Sequence, residues 1–215
     1  MTQDPARHWQ TVYETKAPDE VSWFQREPRL SQALIARVAP SLDARIVDVG
    51  GGASTLVDAL VAAGYLNVTV LDLASAALNQ ARKRLGPDAS RVTWSVSDVL
   101  DATFFPASID VWHDRAVFHF LTRAEDRARY VSQVQRAVRP GGHVLVATFA
   151  EDGPSRCSGL DVARYSPTQL HSVFGAGFVL EASVRENHTT PSGNQQAFTY
   201  CLCRWDPESS VSTAA

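Results

Sequence analysis

The sequence predicts an α/β fold, a doubly wound and mostly parallel seven-stranded sheet that closes in a C-terminal antiparallel hairpin. Three observations predict it. Short β-branched runs alternate with longer segments of helical period between residues 45 and 149, which is the pattern of βαβ units. The first strand runs directly into Gly50-Gly51-Gly52 ahead of a helix, and that kind of turn lets bare backbone approach a ligand. The last two strand-like runs, 178–184 and 197–203, have no helical segment between them, so they pair antiparallel.

Each element has its own signal. Arg45 to Val49 (RIVDV) reads as a buried strand, and Ser54 to Ala63 as the helix after it, with Gly64 as its C-cap. Asn67 to Leu71 is the second strand, and the helix Ser75 to Leu85 stops at Gly86-Pro87. Arg91 to Val96 alternates with period two, as a strand does. Ile109 to His113 is the fourth strand. Thr122-x-x-Glu125 is a capping-box signature for a helix reaching about Val138, where Arg139-Pro140-Gly141-Gly142 breaks it. His143 to Phe149 is the fifth strand, and Ser166-Pro167-x-Gln169 opens a short helix. Residues 1–40 stand outside this alternation and read as an N-terminal helical lid, rich in aromatic and charged residues. The part from Met1 to about Arg29 has aromatic anchors but few apolar positions at helical period, and is expected to bury little by itself. Residues 41–206 form the ligand-binding domain, and the Ser-rich stretch 207–215 reads as a flexible tail.

Composition limits the function classes. The 215 residues are 45% hydrophobic and 20% charged, which suits one self-sufficient domain. No apolar run reaches the roughly 18 residues of a membrane-spanning helix. Met1 to Gln10 lacks the apolar core of a secretory signal, so a cytoplasmic location is expected. A net charge of −3 supplies no basic field for nucleic acid. The cysteines, Cys157, Cys201 and Cys203, are odd in number and lack zinc-ligand spacing. Cys201 and Cys203 share a sheet face as buried thiols, while Cys157 sits in a Gly/Ser/Pro loop where a thiol can be exposed. No His and carboxylate cluster has metal-ligand spacing, and no metal is expected.

The candidate site gathers at the carboxyl ends of neighbouring strands. Asp48 stands two residues before the glycine loop, Asp72 ends the second strand 20 residues after Gly52, and Asp98 follows the third strand. Glycines permit close backbone approach, a helix N-terminus offers N–H groups, and a carboxylate at Asp72 can accept both hydroxyls of a ribose. No Gly-Lys-Ser/Thr follows the loop, so a phosphate-cradling P-loop is excluded. A nicotinamide dinucleotide would need the same acid, but Thr55 stands where its third glycine belongs.

Asp48-x-Gly50-x-Gly52, Asp72, Asp98 and Arg139-Pro140-Gly141-Gly142, in this order, resemble class I S-adenosylmethionine-dependent methyltransferases over about residues 45–205. Ser54 departs from that pattern, since many members carry a third glycine there. The resemblance implies S-adenosylmethionine as cofactor, with S-adenosylhomocysteine as product. Gly50, Gly51 and Gly52 would lie against the methionine part, and Asp48 would meet its amino group. Asp72 would hold the ribose, Leu73 and Val99 would sandwich the adenine, and Asp98 would accept from its amino group. His113 and Asp114 would stand beside the transferable methyl. Trp9, Tyr13 and Trp23 would cover the cofactor.

The Trp112-His113-Asp114-Arg115 stretch is similar to thiopurine-type methyltransferases, and so is the lid. Elongation-factor lysine methyltransferases carry a similar start, so the resemblance allows a small-molecule acceptor, such as a thiol or other soft nucleophile, or a protein side chain. Phe24, Arg115, His119, Tyr165 and His188 are the acceptor-side candidates; no general base is singled out, and the chain is expected to act as a monomer or dimer. A binding module that retains the nucleotide without catalysis is the non-enzymatic alternative.

Overall fold

A computed structural model describes residues 4–210. The central sheet has seven strands: β1 (Arg45–Val49), β2 (Asn67–Asp72), β3 (Val92–Val96), β4 (Ile109–Arg115), β5 (Val138–Phe149), β8 (Phe178–Thr189) and β9 (Gln195–Trp205). A separate two-stranded hairpin, β6 (Arg156–Cys157) and β7 (Leu160–Asp161), lies between β5 and β8 in the chain. The sheet order is β3-β2-β1-β4-β5-β9-β8; β9 is antiparallel to both of its neighbours, and the other pairs are parallel. Strand order therefore reverses direction at β1, and the crevice between the carboxyl ends of β1 and β4 is the switch point where such sheets bind ligands.

Strand alternation sorts the side chains into two cores. On one face Ile46, Val111, Leu145 and Leu202 pack under α2 (Arg29–Val38), α3 (Leu56–Ala62) and α4 (Ser75–Leu85). On the other, Val47, Trp112, Val144 and Cys201 pack under α5 (Ala124–Ala137) and α6 (Pro167–Phe174). The near-continuous apolar reading of β1 follows from this, because a strand covered on both faces has no solvent side. Among the described residues no helix is long and apolar enough to cross a membrane.

Several expectations are refined. Ser166 caps α6 by accepting from the Gln169 amide at 3.2 Å, and Gln169 returns the bond to the Ser166 amide at 2.9 Å. The capping box expected at Thr122 does not form: α5 is capped at Arg123, without a side-chain bond. Arg127 instead draws the Leu121 and Thr122 carbonyls together at 3.0 and 2.8 Å, which delays helix entry. Arg139 to Gly142 does not separate helix from strand but belongs to β5, which starts immediately after α5. Only glycine fits at 142, since a Cβ there would stand 2.9 Å from the Arg139 carbonyl oxygen and 3.1 Å from that of Asp110. Burial would raise the Asp110 carboxyl, but hydrogen bonds from Arg45 and Arg139 carry it well below the usual range and fasten this edge of β4.

The N-terminal stretch is more firmly built than its sequence predicts. It consists of α1 (Pro5–Thr15), a short turn at Pro18–Glu20 and α2. Val21, Ser31, Leu34 and Ile35 are buried. The carbonyl of Ser22 accepts from His188, that of Trp23 from Arg115 and that of Gln25 from Thr55, at 2.8, 3.1 and 2.8 Å. These hydrogen bonds, from two strands and the turn before α3, add to the apolar face of α2, where Leu30, Leu34, Ile35 and Val38 pack on the core. Of the expected tail, Pro207–Ser210 forms a short helical turn, and 211–215 lie outside the described residues.

Candidate functional site

The glycine loop is where sequence dictates shape most directly. Gly50 and Gly52 have φ of +64° and +42°, a region that L side chains rarely enter. A Cβ on Gly50 would stand 2.0 Å from Val117 Cγ2, and one on Gly52 2.7 Å from Asp72 Oδ2. The loop is therefore held open between the second strand and the turn after β4. It separates two cavities. The larger, about 580 Å³, is walled by Leu71, Asp72, Leu73, Ser97, Asp98, Val99 and Val117 and roofed by Trp9, Tyr13 and Trp23. The smaller, about 50 Å³, lies between the loop and the lid and is lined by Phe24, Ser31, Asp48, Gly51 and His113, among others. Tyr13, Trp23, Gly50 and Arg115 border both.

The acids differ in what they have left to offer. Asp48 spends Oδ1 on His113 Nδ1 at 2.7 Å, while its Oδ2 is buried with no partner. Asp72 Oδ1 accepts from the Ala74 amide at 2.8 Å. Burial raises the Asp72 carboxyl to about 7, against the Ala74 amide and with the charge of Asp48 adding to the rise. Asp98 accepts from the Leu100 amide at 2.8 Å and shapes the turn beside Val99. A buried unpaired acceptor is costly unless a donor completes it. The residues present fit S-adenosylmethionine: a cationic amino group suits Asp48 Oδ2, ribose hydroxyls suit Asp72, and the apolar walls Leu73 and Val99 suit an adenine.

The roof is an aromatic cluster. Trp9 meets Trp23 and Phe120 edge-on, with centroids 5.5 and 5.2 Å apart, and the Trp23 indole N–H donates to the Tyr13 hydroxyl at 3.3 Å. Gln80 fixes α1 by donating to the Tyr13 carbonyl at 2.7 Å. Across the mouth, His8 Nε2 and Ser158 Oγ are 3.3 Å apart, so α1 and the β6–β7 hairpin close over the cleft together.

Other expected site residues are placed elsewhere. Asp114 points to the opposite sheet face from His113, because adjacent strand residues alternate. There it accepts from the Val117 amide at 3.0 Å and the Tyr130 hydroxyl at 2.6 Å. Burial raises its carboxyl to about 6 against those donors. Asp114 therefore builds the turn that carries Val117 and does not face the cofactor cleft. His113 has both ring nitrogens engaged, by Asp48 and by Ser31 at 2.9 Å, so it reaches a ligand only through Asp48.

His119 is fully buried between Phe120 and Phe149, outside both cavities. Burial, with the charge of Arg115, lowers it to about 3. Tyr165 packs against Phe118 in the core, and His188 is taken up by the Ser22 carbonyl; neither lines either of these two cavities. Arg115 borders the cleft but is committed to Tyr200, Glu186 and Trp23 and stacks 4.1 Å over Phe198. Cys157 is buried, not exposed; it lines the cleft, and burial pushes its thiol up to about 12.

No local pattern marks Ser31 or Phe120, which join the site through tertiary contact. Glu186 lies in the extension of β8 past the predicted end of that strand.

Comparison with known proteins agrees with this geometry. Residues 46–142 match the family described as Methyltransferase domain. A ubiquinone/menaquinone biosynthesis C-methyltransferase of Roseobacter denitrificans is 28% identical over 56% of this chain and 48% of its own length. An eEF1A lysine and N-terminal methyltransferase of Mus musculus is 20% identical over 68% of this chain and 22% of its own. The chain thus spans about half the length of the first relative and less of the second. Among solved structures, one from work on the conversion of a disulfide bond into a thioacetal group during echinomycin biosynthesis superposes with a TM-score of 0.76. It is 20% identical, over 98% of this chain and 96% of that one. The glycine loop and the acidic strand ends lie within residues 46–142, so the stretch that matches the methyltransferase domain is the one that builds the cleft, and these likenesses support an S-adenosylmethionine-dependent methyltransferase of class I.

Proposed function

We propose that this protein transfers a methyl group from S-adenosylmethionine to a small-molecule acceptor that arrives as a ready nucleophile, with a thiol as the leading class. The observation that carries the reading is the cleft wall. Among the described residues no free imidazole lines these cavities: His119 is buried and lowered to about 3, His113 is held at both nitrogens, His188 is bonded to Ser22, and His8 stands at the mouth against Ser158. The Tyr13 hydroxyl is raised well above its ordinary value by burial and by Asp72, and Cys157 is raised to about 12 by burial. An acceptor that must lose a strongly held proton in the transition state finds no poised imidazole, whereas a thiol supplies its own thiolate near neutral pH.

When bound, S-adenosylmethionine supplies an electrophilic methyl group on a sulfonium. The chain's own residues would bind and orient. Asp48 and the glycine loop would receive the amino-acid end beside the small cavity, Asp72 the ribose, and Leu73, Asp98 and Val99 the adenine. Trp9, Tyr13, Trp23 and Phe120 would exclude water and present aromatic faces, each worth about 0.5–2 kcal/mol to a cation. Holding the acceptor in line at near contact accounts for the rest of the work, since proximity and orientation can lower a barrier by about 7–11 kcal/mol. The closed mouth at His8 and Ser158 favours a small acceptor over a protein side chain.

The test is calorimetric titration with S-adenosylhomocysteine, followed by methyl-transfer assays on aliphatic and aromatic thiols, phenols and lysine peptides. Binding and turnover on thiols is the expected result. Turnover on lysine peptides alone would replace the acceptor class, and tighter binding of a nicotinamide dinucleotide would overturn the reading.

A further inference from the structure

Three polar side chains from three separate elements meet under the lid with almost no access to water. Asp48 on β1 and His113 on β4 face each other directly across the parallel pair. Asp48 Oδ1 and His113 Nδ1 are 2.7 Å apart, and His113 Nε2 is 2.9 Å from Ser31 Oγ on α2. Their exposures are 2%, 2% and 1% in the order Asp48, His113, Ser31. A carboxylate only accepts hydrogen bonds, so Nδ1 carries the proton and Nε2 of a neutral ring accepts from the Ser31 hydroxyl. The line thus runs Ser31 O–H to His113, then His113 N–H to Asp48, and it ends at Asp48 Oδ2, which has no partner.

That free oxygen is the reason the ring matters. A buried carboxylate with one oxygen fixed has one orientation, and this one stands where a Gly51 Cβ would come within 2.5 Å, beside the small cavity. Without His113, both oxygens would lack donors, and nothing would fix the orientation of the carboxyl. At the same time the ring is a tether: Ser31 belongs to the N-terminal segment, so moving α2 away from the sheet breaks the far end of the line.

We infer that His113 is a positioning residue for the cofactor's amino group, holding Asp48 so that Oδ2 is presented, and that Ser31 ties this setting to lid docking. The inference rests on the methyltransferase reading above. It predicts that cofactor analogues with and without the amino-acid tail will respond differently to changes at His113. A purely structural histidine would weaken both alike.

The experiment titrates S-adenosylhomocysteine and 5′-methylthioadenosine, which lacks the tail, into the full chain and the variants His113→Gln, His113→Asn and Ser31→Ala. An Asn amide reaches the position of Nδ1 and a Gln amide that of Nε2, so Asn keeps the donor to Asp48 and Gln does not. His113→Gln is expected to lose S-adenosylhomocysteine affinity by about 10- to 100-fold, the cost of a charge-assisted bond. The tailless nucleoside should change by no more than about twofold. His113→Asn should recover most of the loss. Ser31→Ala, which removes one hydroxyl and keeps the fold should the ring variants fail to fold, should cost about 3- to 10-fold for the tailed ligand alone. Equal weakening of both ligands, or no recovery with Asn, overturns the inference and leaves the cofactor assignment standing. Parent protein that binds neither ligand overturns the cofactor reading and this inference with it.

Discussion

Asp72→Asn should make the free protein more stable and the ligand-bound protein weaker, and the two effects should separate by pH. The carboxyl of Asp72 is moved by burial from 3.8 to about 7. A folded-state value above the unfolded one means that between those pH values the unfolded chain has released a proton the folded chain retains. Stability therefore falls as pH rises through that window, and the full cost is reached above pH 7. Three units correspond to about 4 kcal/mol as an upper limit, at about 1.4 kcal/mol per unit. Asparagine carries no charge and keeps an oxygen for the Ala74 amide, so it removes the cost and retains the local bond.

Urea denaturation of parent and variant is the assay, run at pH 5 and pH 8. The variant should exceed the parent by about 2–4 kcal/mol at pH 8 and by about 1–2 kcal/mol at pH 5. In thermal scans the pH 8 gain should be about 4–16 °C for a chain of this size. Affinity for S-adenosylhomocysteine should fall by about 10- to 100-fold at pH 8, since a neutral amide replaces an ionised acceptor. In the parent the same affinity should rise with pH through about 7 and level off above it, because the ionised carboxylate is the acceptor. A stability difference that is the same at both pH values, or an Asn variant less stable at pH 8, would refute the reasoning: the carboxylate would then be solvated or paired.

Arg115→Ala should cost about 1.5–3 kcal/mol in urea denaturation, because it removes the ion partner of half-buried Glu186, which keeps only its bonds from Tyr200 and Gln25, and frees the Trp23 carbonyl. Adding Glu186→Gln should return part of that loss, and simple additivity in the double mutant would show that the pair is not coupled. Cys157, Cys201 and Cys203 should resist iodoacetamide at pH 8 in the native protein and react in urea, since all are buried with thiols raised to between about 11 and 12. Rapid native labelling of Cys157, read by peptide mass, would show that the cleft roof opens.

The order of strands and helices was legible in the sequence because its causes are local. Period-two alternation, Gly86-Pro87 and the Ser166 capping box act over a few residues, and the structure places elements at each. The same holds for the glycine loop: positive φ at Gly50 and Gly52 is a backbone requirement that only a glycine meets without strain. That Asp48 and Asp72 line the cavities was legible for a similar reason, since both stand at strand ends beside that loop.

What the sequence alone could not decide is where a side chain spends its hydrogen bonds. Asp114 and His113 are neighbours in the chain, yet one fastens the turn after β4 and the other joins the glycine loop to the lid, because strand residues alternate between two faces. His119 and His188 read as acceptor-side groups until packing removed one into an aromatic core and assigned the other to the Ser22 carbonyl. Ser31 carried no signal and became part of the site because α2 crosses the sheet over His113. Local periodicity thus determined the elements and the loop, while only the tertiary structure, by deciding which buried polar groups must satisfy one another, determined which residues are left free to meet a ligand.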